Sequence, residues 1–120
     1  HRALPQFLPH IPWGALASLV IDLPPGTGDA QLTLTQTVPL TAAIVVTTPQ
    51  EVSLIDARKG LQMFEEVRVP VLGILENMSY FQGEDGKRYE PFGSGGGARL
   101  AAEAKVPLLG QIPIDPQVAQ

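Results

Sequence analysis

Apolar residues in this chain fall in short dense runs, separated by polar stretches or by stretches rich in glycine and proline. Four runs have strand length: residues 18 to 23 (SLVIDL), 42 to 47 (AAIVVT), 70 to 76 (PVLGILE) and 107 to 112 (PLLGQI). They are apolar through most of their length rather than at every second position, which is the pattern of strands buried on both faces. Residues 51 to 66 follow Pro49 and carry a different period. Val52, Ile55, Leu61, Met63 and Phe64 are the apolar positions, and Arg58, Lys59, Glu65 and Glu66 are outward, so the spacing predicts an amphipathic helix. A second helix is predicted over 94 to 105, after a glycine-rich entry. Asp29 is an N-cap candidate for another, beginning Ala30-Gln31-Leu32. Thr33, Thr35 and Thr37 lower its propensity, so it should be short. Only residues 78 to 93 interrupt the alternation. There Gln82 to Arg88 is polar and glycine-containing between Tyr80-Phe81 and Tyr89, which suggests a hairpin or an excursion from the sheet edge.

Strand and helix alternating with short connections indicate an α/β protein, a parallel sheet with helices on both faces. In such sheets functional groups gather at the C-terminal strand ends. A length of 120 residues fits one domain, and 44% apolar with 17% charged residues is a globular composition. A net charge of −4 without a Lys/Arg cluster argues against a nucleic-acid partner. No apolar run approaches the roughly 20 residues needed to span a bilayer, and no signal-peptide pattern opens the chain. No membrane partner is therefore expected, and the default compartment is cytoplasmic. The chain has no cysteine, which excludes a disulfide scaffold and any cysteine ligation of a metal or cluster by these residues. The opening HRALPQFLPHIPWG reads as the tail of a helix with its exit loop, and the closing IDPQVAQ stops within a segment. Both ends thus read as cuts through a longer protein.

The densest chemical signal is Ile21-Asp22-Leu23-Pro24-Pro25-Gly26-Thr27-Gly28. It delivers a carboxylate to the end of an apolar run and then turns the backbone sharply. A carboxylate there can hold Mg²⁺ through water, and the bare Gly26 amide can approach a phosphate oxygen. A turn that merely ends a strand has the same residue types. Asn77 ends the third apolar run, where a side-chain amide can read the donor and acceptor edge of a purine or cap a turn. Glu51 and Asp56 lie at the start of the 51 to 66 helix, where acidic residues also suit the helix dipole with no other role. The FGSGGG segment, Phe92 to Gly97, invites a phosphate-loop reading. It lacks a terminal Gly-Lys-Ser/Thr, having Ala98-Arg99 instead, so it reads as a structural helix entry. His1 and His10 lack metal-ligand spacing, and Trp13 reads as a packing anchor.

IDLPPGTGDAQLTL, TTPQEVSLIDARKG, ENMSYF and FGSGGG, in this order between Ile21 and Gly97, resemble the Mrp/ApbC family. Its members are P-loop ATPases of the ParA/MinD superfamily that carry iron–sulfur clusters. The resemblance implies a P-loop NTPase-like fold seen here without its N-terminal Walker A half, so that 1–120 would be the C-terminal part of a P-loop ATPase domain. It implies ATP and Mg²⁺ as cofactors, a homodimer, and iron–sulfur apoproteins as recipients. Asp22 would be the Walker-B-type aspartate on the Mg²⁺ hydration shell, and Gly26 the switch glycine sensing the γ-phosphate. Asn77 would contact adenine, together with the backbone of Pro113-Ile114-Asp115. Glu51 and Asp56 would approach the partner's nucleotide. Two family parts are absent from these residues. The lysine-bearing Walker A lies upstream in the family, and without it this chain alone should not hydrolyse ATP. Many members also carry Cys-x-x-Cys after Asn-Met-Ser, where this chain has Gln82 to Gly86. The rivals are a non-catalytic regulatory or interaction protein of the same fold, and a MinD/ParA-type positioning ATPase. The second of these would need a basic tail or face, which is not seen.

Overall fold

A computed structural model describes residues 19–23 and 29–115. The chain divides into two compact units, His1–Leu40 and Thr41–Gln120.

In the first unit the described structure is one helix, α1 (Asp29–Thr37). It is nine residues long, as its threonine content predicts. Asp29 is its first residue, one place inside the cap position expected for it. Two of the threonines turn their hydroxyls back onto the helix, Thr35 Oγ1 donating to Leu32 O and Thr37 Oγ1 to Thr33 O. This back-bonding competes with propagation of a helix. Leu34 is buried. The strand predicted over 18 to 23 is not formed: Leu19 to Leu23 have no regular structure, and Val20 is 91% exposed. Apolar runs favour burial, but a strand exists only when a neighbour completes its hydrogen-bond ladder. No described residues pair with this segment.

The second unit is built on a parallel sheet of β1 (Ala43–Thr47), β2 (Val71–Glu76) and β5 (Leu108–Gln111), in the order β1-β2-β5. The helices α2 (Glu51–Glu66) and α3 (Gly96–Ala104) are the crossovers. Both crossovers step the same way across the sheet, and right-handed connections then place both helices on one face. Val45, Thr47, Ile74 and Glu76 point to that face and are all buried. Leu54, Ala57, Met63 and Phe64 of α2 and Leu100 and Ala101 of α3 close the layer. Each such fully buried aliphatic or aromatic side chain stabilises by roughly 1.5–3 kcal/mol. The apolar stripe of α2 therefore differs from the sequence expectation. Met63 and Phe64 are in it, whereas Val52 is 75% and Ile55 44% exposed.

Two irregularities of register shape the sheet, between Ala43 and Ile44 in the β1–β2 pair and between Ile74 and Leu75 in the β2–β5 pair. On the face away from α2 and α3, Ile44, Val46 and Leu109 remain 46–58% exposed. Gly73 is packed beneath Leu109: a Cβ there would fall 2.5 Å from Leu109 Cγ and 2.6 Å from the Pro107 carbonyl oxygen. Residues 78 to 93 leave the sheet as anticipated and form a short antiparallel hairpin, β3 (Phe81–Gln82) with β4 (Arg88–Tyr89).

Both crossover helices end in a left-handed residue that is not glycine. After α2, Arg68 has φ 60° and Val69 N–H donates to Phe64 O. After α3, Lys105 has φ 58° and Val106 N–H donates to Ala101 O. These bonds satisfy carbonyls that a helix terminus would otherwise leave unpaired.

Candidate functional site

Four segments meet at the C-terminal end of the parallel sheet. The first is the exit from β1 into α2. Here the Ser53 hydroxyl accepts from Thr48 N–H at 2.9 Å and lies 3.0 Å from Thr47 Oγ1. A side chain in the first turn of α2 thereby fixes the strand-to-helix junction, since Gln50 at the cap position makes no side-chain cap bond. Glu51 follows directly and is exposed, as is Asp56 on the next turn.

The second segment is the turn after β2. Asn77 N–H donates to Thr47 O at 2.7 Å, which extends the β1–β2 ladder by one bond. Asn77 Oδ1 accepts from Met78 N–H at 2.9 Å, and Met78 sits at φ 51°. The amide nitrogen of Asn77 has no hydrogen-bond partner among the described residues, so both of its N–H donors are left for other partners. The third segment is the run after β5. Ser79 N–H donates to Ile112 O at 2.9 Å and Ile114 N–H to Tyr80 O at 2.7 Å. These two bonds bring the Asn77 turn and Pro113-Ile114-Asp115 side by side, though 36 residues separate Asn77 from Pro113.

The fourth segment is FGSGGG. Gly95 at the cap of α3 has φ 75°, a conformation that favours glycine. A Cβ on Gly96 would fall 2.8 Å from Leu54 Cδ1 and 3.2 Å from the Pro49 carbonyl oxygen, so this glycine admits the start of α2. Gly97 N–H donates to Glu76 Oε2 at 2.6 Å, and the other carboxylate oxygen accepts from Ser79 Oγ at 2.6 Å. The free N–H groups at the start of α3 thus receive an internal carboxylate. This segment is a helix entry and an anchor for Glu76, in keeping with its reading as structural. The sequence alone does not mark Glu76 and Ser79 as site residues. The available signal was an acid closing an otherwise apolar buried run, with a hydroxyl three residues on.

Beside this edge stands the β3–β4 hairpin, with Gln82 to Gly86 in its first strand and turn. Gly83 N–H donates to Lys87 O and Gly86 N–H to Gly83 O. Asp85 is held below the usual carboxylate range, first by the Lys87 backbone N–H and then by the Tyr89 hydroxyl, which donates to it at 2.8 Å. The same bond pushes the Tyr89 phenol up. The Arg88 guanidinium lies 3.8 Å from the centre of the Tyr80 ring and also donates to Gln111 Oε1 at 3.0 Å, tying the hairpin to β5. The hairpin is thus held by polar bonds within itself and by the Arg88 bond to β5. On the helix layer, Arg58 and Glu103 join α2 to α3 through two hydrogen bonds, which lower the Glu103 carboxyl and raise the Arg58 guanidinium.

The structure thus brings Asn77, Pro113 and Asp115 to one edge, with Glu51 at the adjoining helix start. Asp22 lies in the first unit, exposed and without regular structure. Gly26, His1, His10 and Trp13 lie outside the described residues. Among the described residues no three His, Cys, Asp or Glu side chains are grouped to hold a metal ion, and no helix is long and apolar enough to cross a membrane. A lone exposed carboxylate such as Asp22 fits Mg²⁺ held through water, and does not fit a cation stripped of its hydration shell.

Comparison with known proteins agrees with this architecture. The iron-sulfur cluster carrier protein of Synechocystis sp. is 59% identical over 112 residues, covering 92% of this chain and 32% of its own length. That of Escherichia coli K12 is 54% identical over 114 residues, covering 94% and 31%. The chloroplastic Fe-S cluster assembly factor HCF101 of Arabidopsis thaliana is 50% identical over 114 residues, covering 95% and 21%. A nucleotide-binding protein from Archaeoglobus fulgidus, solved in complex with ADP, superposes with a TM-score of 0.85 at 42% identity. It covers 98% of this chain and 49% of its own. The chain therefore spans about a third or less of the length of these curated relatives. With the NUBPL iron-transfer P-loop NTPase profile matching residues 1–120, a parallel sheet of this topology and relatives at 50–59% identity, the chain belongs to that family.

Proposed function

We propose that the natural protein containing these residues is an ATP-dependent carrier of iron–sulfur clusters, acting in the cytoplasm as a homodimer and passing clusters to apoproteins. The observation that supports this most directly is the joining of the Asn77 turn to the Ile112–Asp115 segment at the C-terminal sheet edge. It presents a side-chain amide beside an ordered backbone run, the equipment needed to hold a purine base. The bound ADP of the Archaeoglobus fulgidus relative is in keeping with it.

In this reading Asp22 holds Mg²⁺ through water, and the Gly26 amide meets the γ-phosphate. Loss of that phosphate would then be felt at residues 24 to 29, coupling nucleotide state to the dimer. Mg²⁺ supplies charge neutralisation of the β- and γ-phosphates when bound. Glu51 and Asp56, exposed on the first turns of α2, face the partner's nucleotide in the dimer. In this reading no lysine-bearing phosphate cradle is among these 120 residues, so the polypeptide of these residues alone is expected to release no phosphate from ATP. The cluster is the cargo, and this chain offers it no thiolate. The missing cysteines favour a second reading slightly, a non-catalytic regulatory or interaction protein of the same fold.

The test is made on the natural protein. Asp22→Asn should abolish Mg²⁺-dependent ATP turnover with ATP binding retained, and Asn77→Ala should weaken ATP binding while leaving the fold intact by circular dichroism. Turnover at the wild-type rate in Asp22→Asn would sink the catalytic assignment. Anaerobic cluster reconstitution separates the two readings, since a stoichiometric, transferable cluster excludes the regulatory one.

A further inference from the structure

Glu76 is 1% exposed at the last position of the central strand, and nothing in the chemistry proposed above uses it. Burying a carboxylate costs several kcal/mol unless its oxygens are bonded. Both are, through short bonds from Ser79 Oγ and Gly97 N–H, each at 2.6 Å. For stability alone an apolar side chain of similar volume serves as well or better in such a position. The bonds therefore need a reason in what they hold.

Ser79 lies three residues beyond Glu76, so their bond closes the Asn77–Met78 turn from inside the protein. Met78 in that turn has φ 51°, a left-handed conformation unfavourable for a residue with a side chain. The second bond ties the same carboxylate to the first turn of α3, and a Cβ on Gly97 would fall 2.5 Å from Glu76 Oε2. Backbone bonds from Asn77 to Thr47 and from Ser79 to Ile112 brace the turn on its flanks. Besides these backbone bonds and the Asn77 Oδ1–Met78 N–H bond within the turn itself, the turn is held through Glu76 and Ser79.

We infer that Glu76 is a positioning residue for the nucleotide base: it locks the Asn77–Met78 turn onto the glycine-rich entry of α3, so that the Asn77 amide and the Ile112–Asp115 backbone address one purine. The inference rests on the reading that Asn77 contacts the base. It gives the FGSGGG segment a part in nucleotide recognition without any phosphate binding of its own. Its glycines let a helix N-terminus approach the carboxylate that sets the base-reading turn.

The experiment compares Glu76→Gln, Ser79→Ala and Asn77→Ala in the natural protein. Dissociation constants are measured for ATP, GTP and inorganic tripolyphosphate, with hydrogen exchange followed across residues 77–80. Loss of one hydrogen bond to a charged group predicts about tenfold weaker ATP binding in Glu76→Gln. The ATP-to-GTP preference should fall toward one, tripolyphosphate binding should be unchanged, and exchange at 77–80 should be faster. Affinities for all three ligands falling together would show a purely structural Glu76 and overturn the inference. So would unchanged selectivity in Glu76→Gln when Asn77→Ala loses it. An unchanged ATP-to-GTP ratio in Asn77→Ala removes the base-reading itself, and this inference with it. Where Glu76→Gln fails to fold, Ser79→Ala, which removes one bond and keeps the carboxylate, decides the question by the same readouts.

Discussion

Gly60 and Gly73 are the same residue with opposite freedom. Gly60 sits in the interior of α2, and a Cβ built on it meets nothing within 4 Å. Glycine there carries an entropic cost without a structural return, so Gly60→Ala should raise unfolding stability by about 0.5–1 kcal/mol. A Cβ on Gly73 meets Leu109 and the Pro107 carbonyl within 2.6 Å, and the carbonyl cannot yield because it accepts the Ile74 N–H that begins the β2–β5 pairing. Gly73→Ala should destabilise by about 1–3 kcal/mol through overpacking. Chemical denaturation of both variants checks the pair, and equal effects would contradict the packing described. The site residues show the same division. Asn77 is visible in the sequence as an amide at a strand end. Glu76 looks like an ordinary last strand residue until the structure places Gly97, 21 residues away, against its carboxylate.

At the level of elements, α2 was legible in extent and wrong in part of its face. Its bounds coincide with the amphipathic run 51 to 66. Yet Leu54 and Ala57 are buried where Val52 and Ile55 were expected. Apolar residues occupy more than one stripe of this helix, and periodicity alone cannot choose between stripes. The choice is made by α3, whose entry brings Gly96 against Leu54. Leu54→Ala should therefore cost about 2–5 kcal/mol, as for other buried leucines. Val52→Ala should stay within about 0.5 kcal/mol, as for exposed positions away from special features. Thermal and urea unfolding of the two variants would reveal any reversal. The residues 18 to 23 fail for a related reason. Their apolar run is a true signal of burial, but a parallel strand needs a partner that no local pattern supplies.

For the whole molecule, the order β1-β2-β5 with two crossovers stepping in one direction commits both crossover helices to one face of the sheet. Ile44, Val46 and Leu109 on the other face are left 46–58% exposed. Apolar side chains gathered on one side of a sheet favour association. The isolated 120-residue polypeptide should thus self-associate as its concentration rises, and replacing Val46 and Leu109 by threonine should shift it toward monomer in sedimentation velocity. A wild-type polypeptide that stays monomeric across the range would show that this face is not adhesive.

The sequence by itself determined the α/β class, the strands after residue 41, the helices near their true bounds, and the residues to examine for phosphate and base. These are local or periodic properties, set by side-chain volume, branching and backbone restriction within a few neighbouring positions. Only the tertiary structure decided which helix stripe is buried, that the run before Pro24 forms no strand, and that one sheet face is left open. It alone joined Asn77 to Pro113 and Asp115, and set Glu76 between Ser79 and the first turn of α3. Each of these depends on a partner distant in sequence whose position is fixed by crossover handedness, strand register and close approach at glycine.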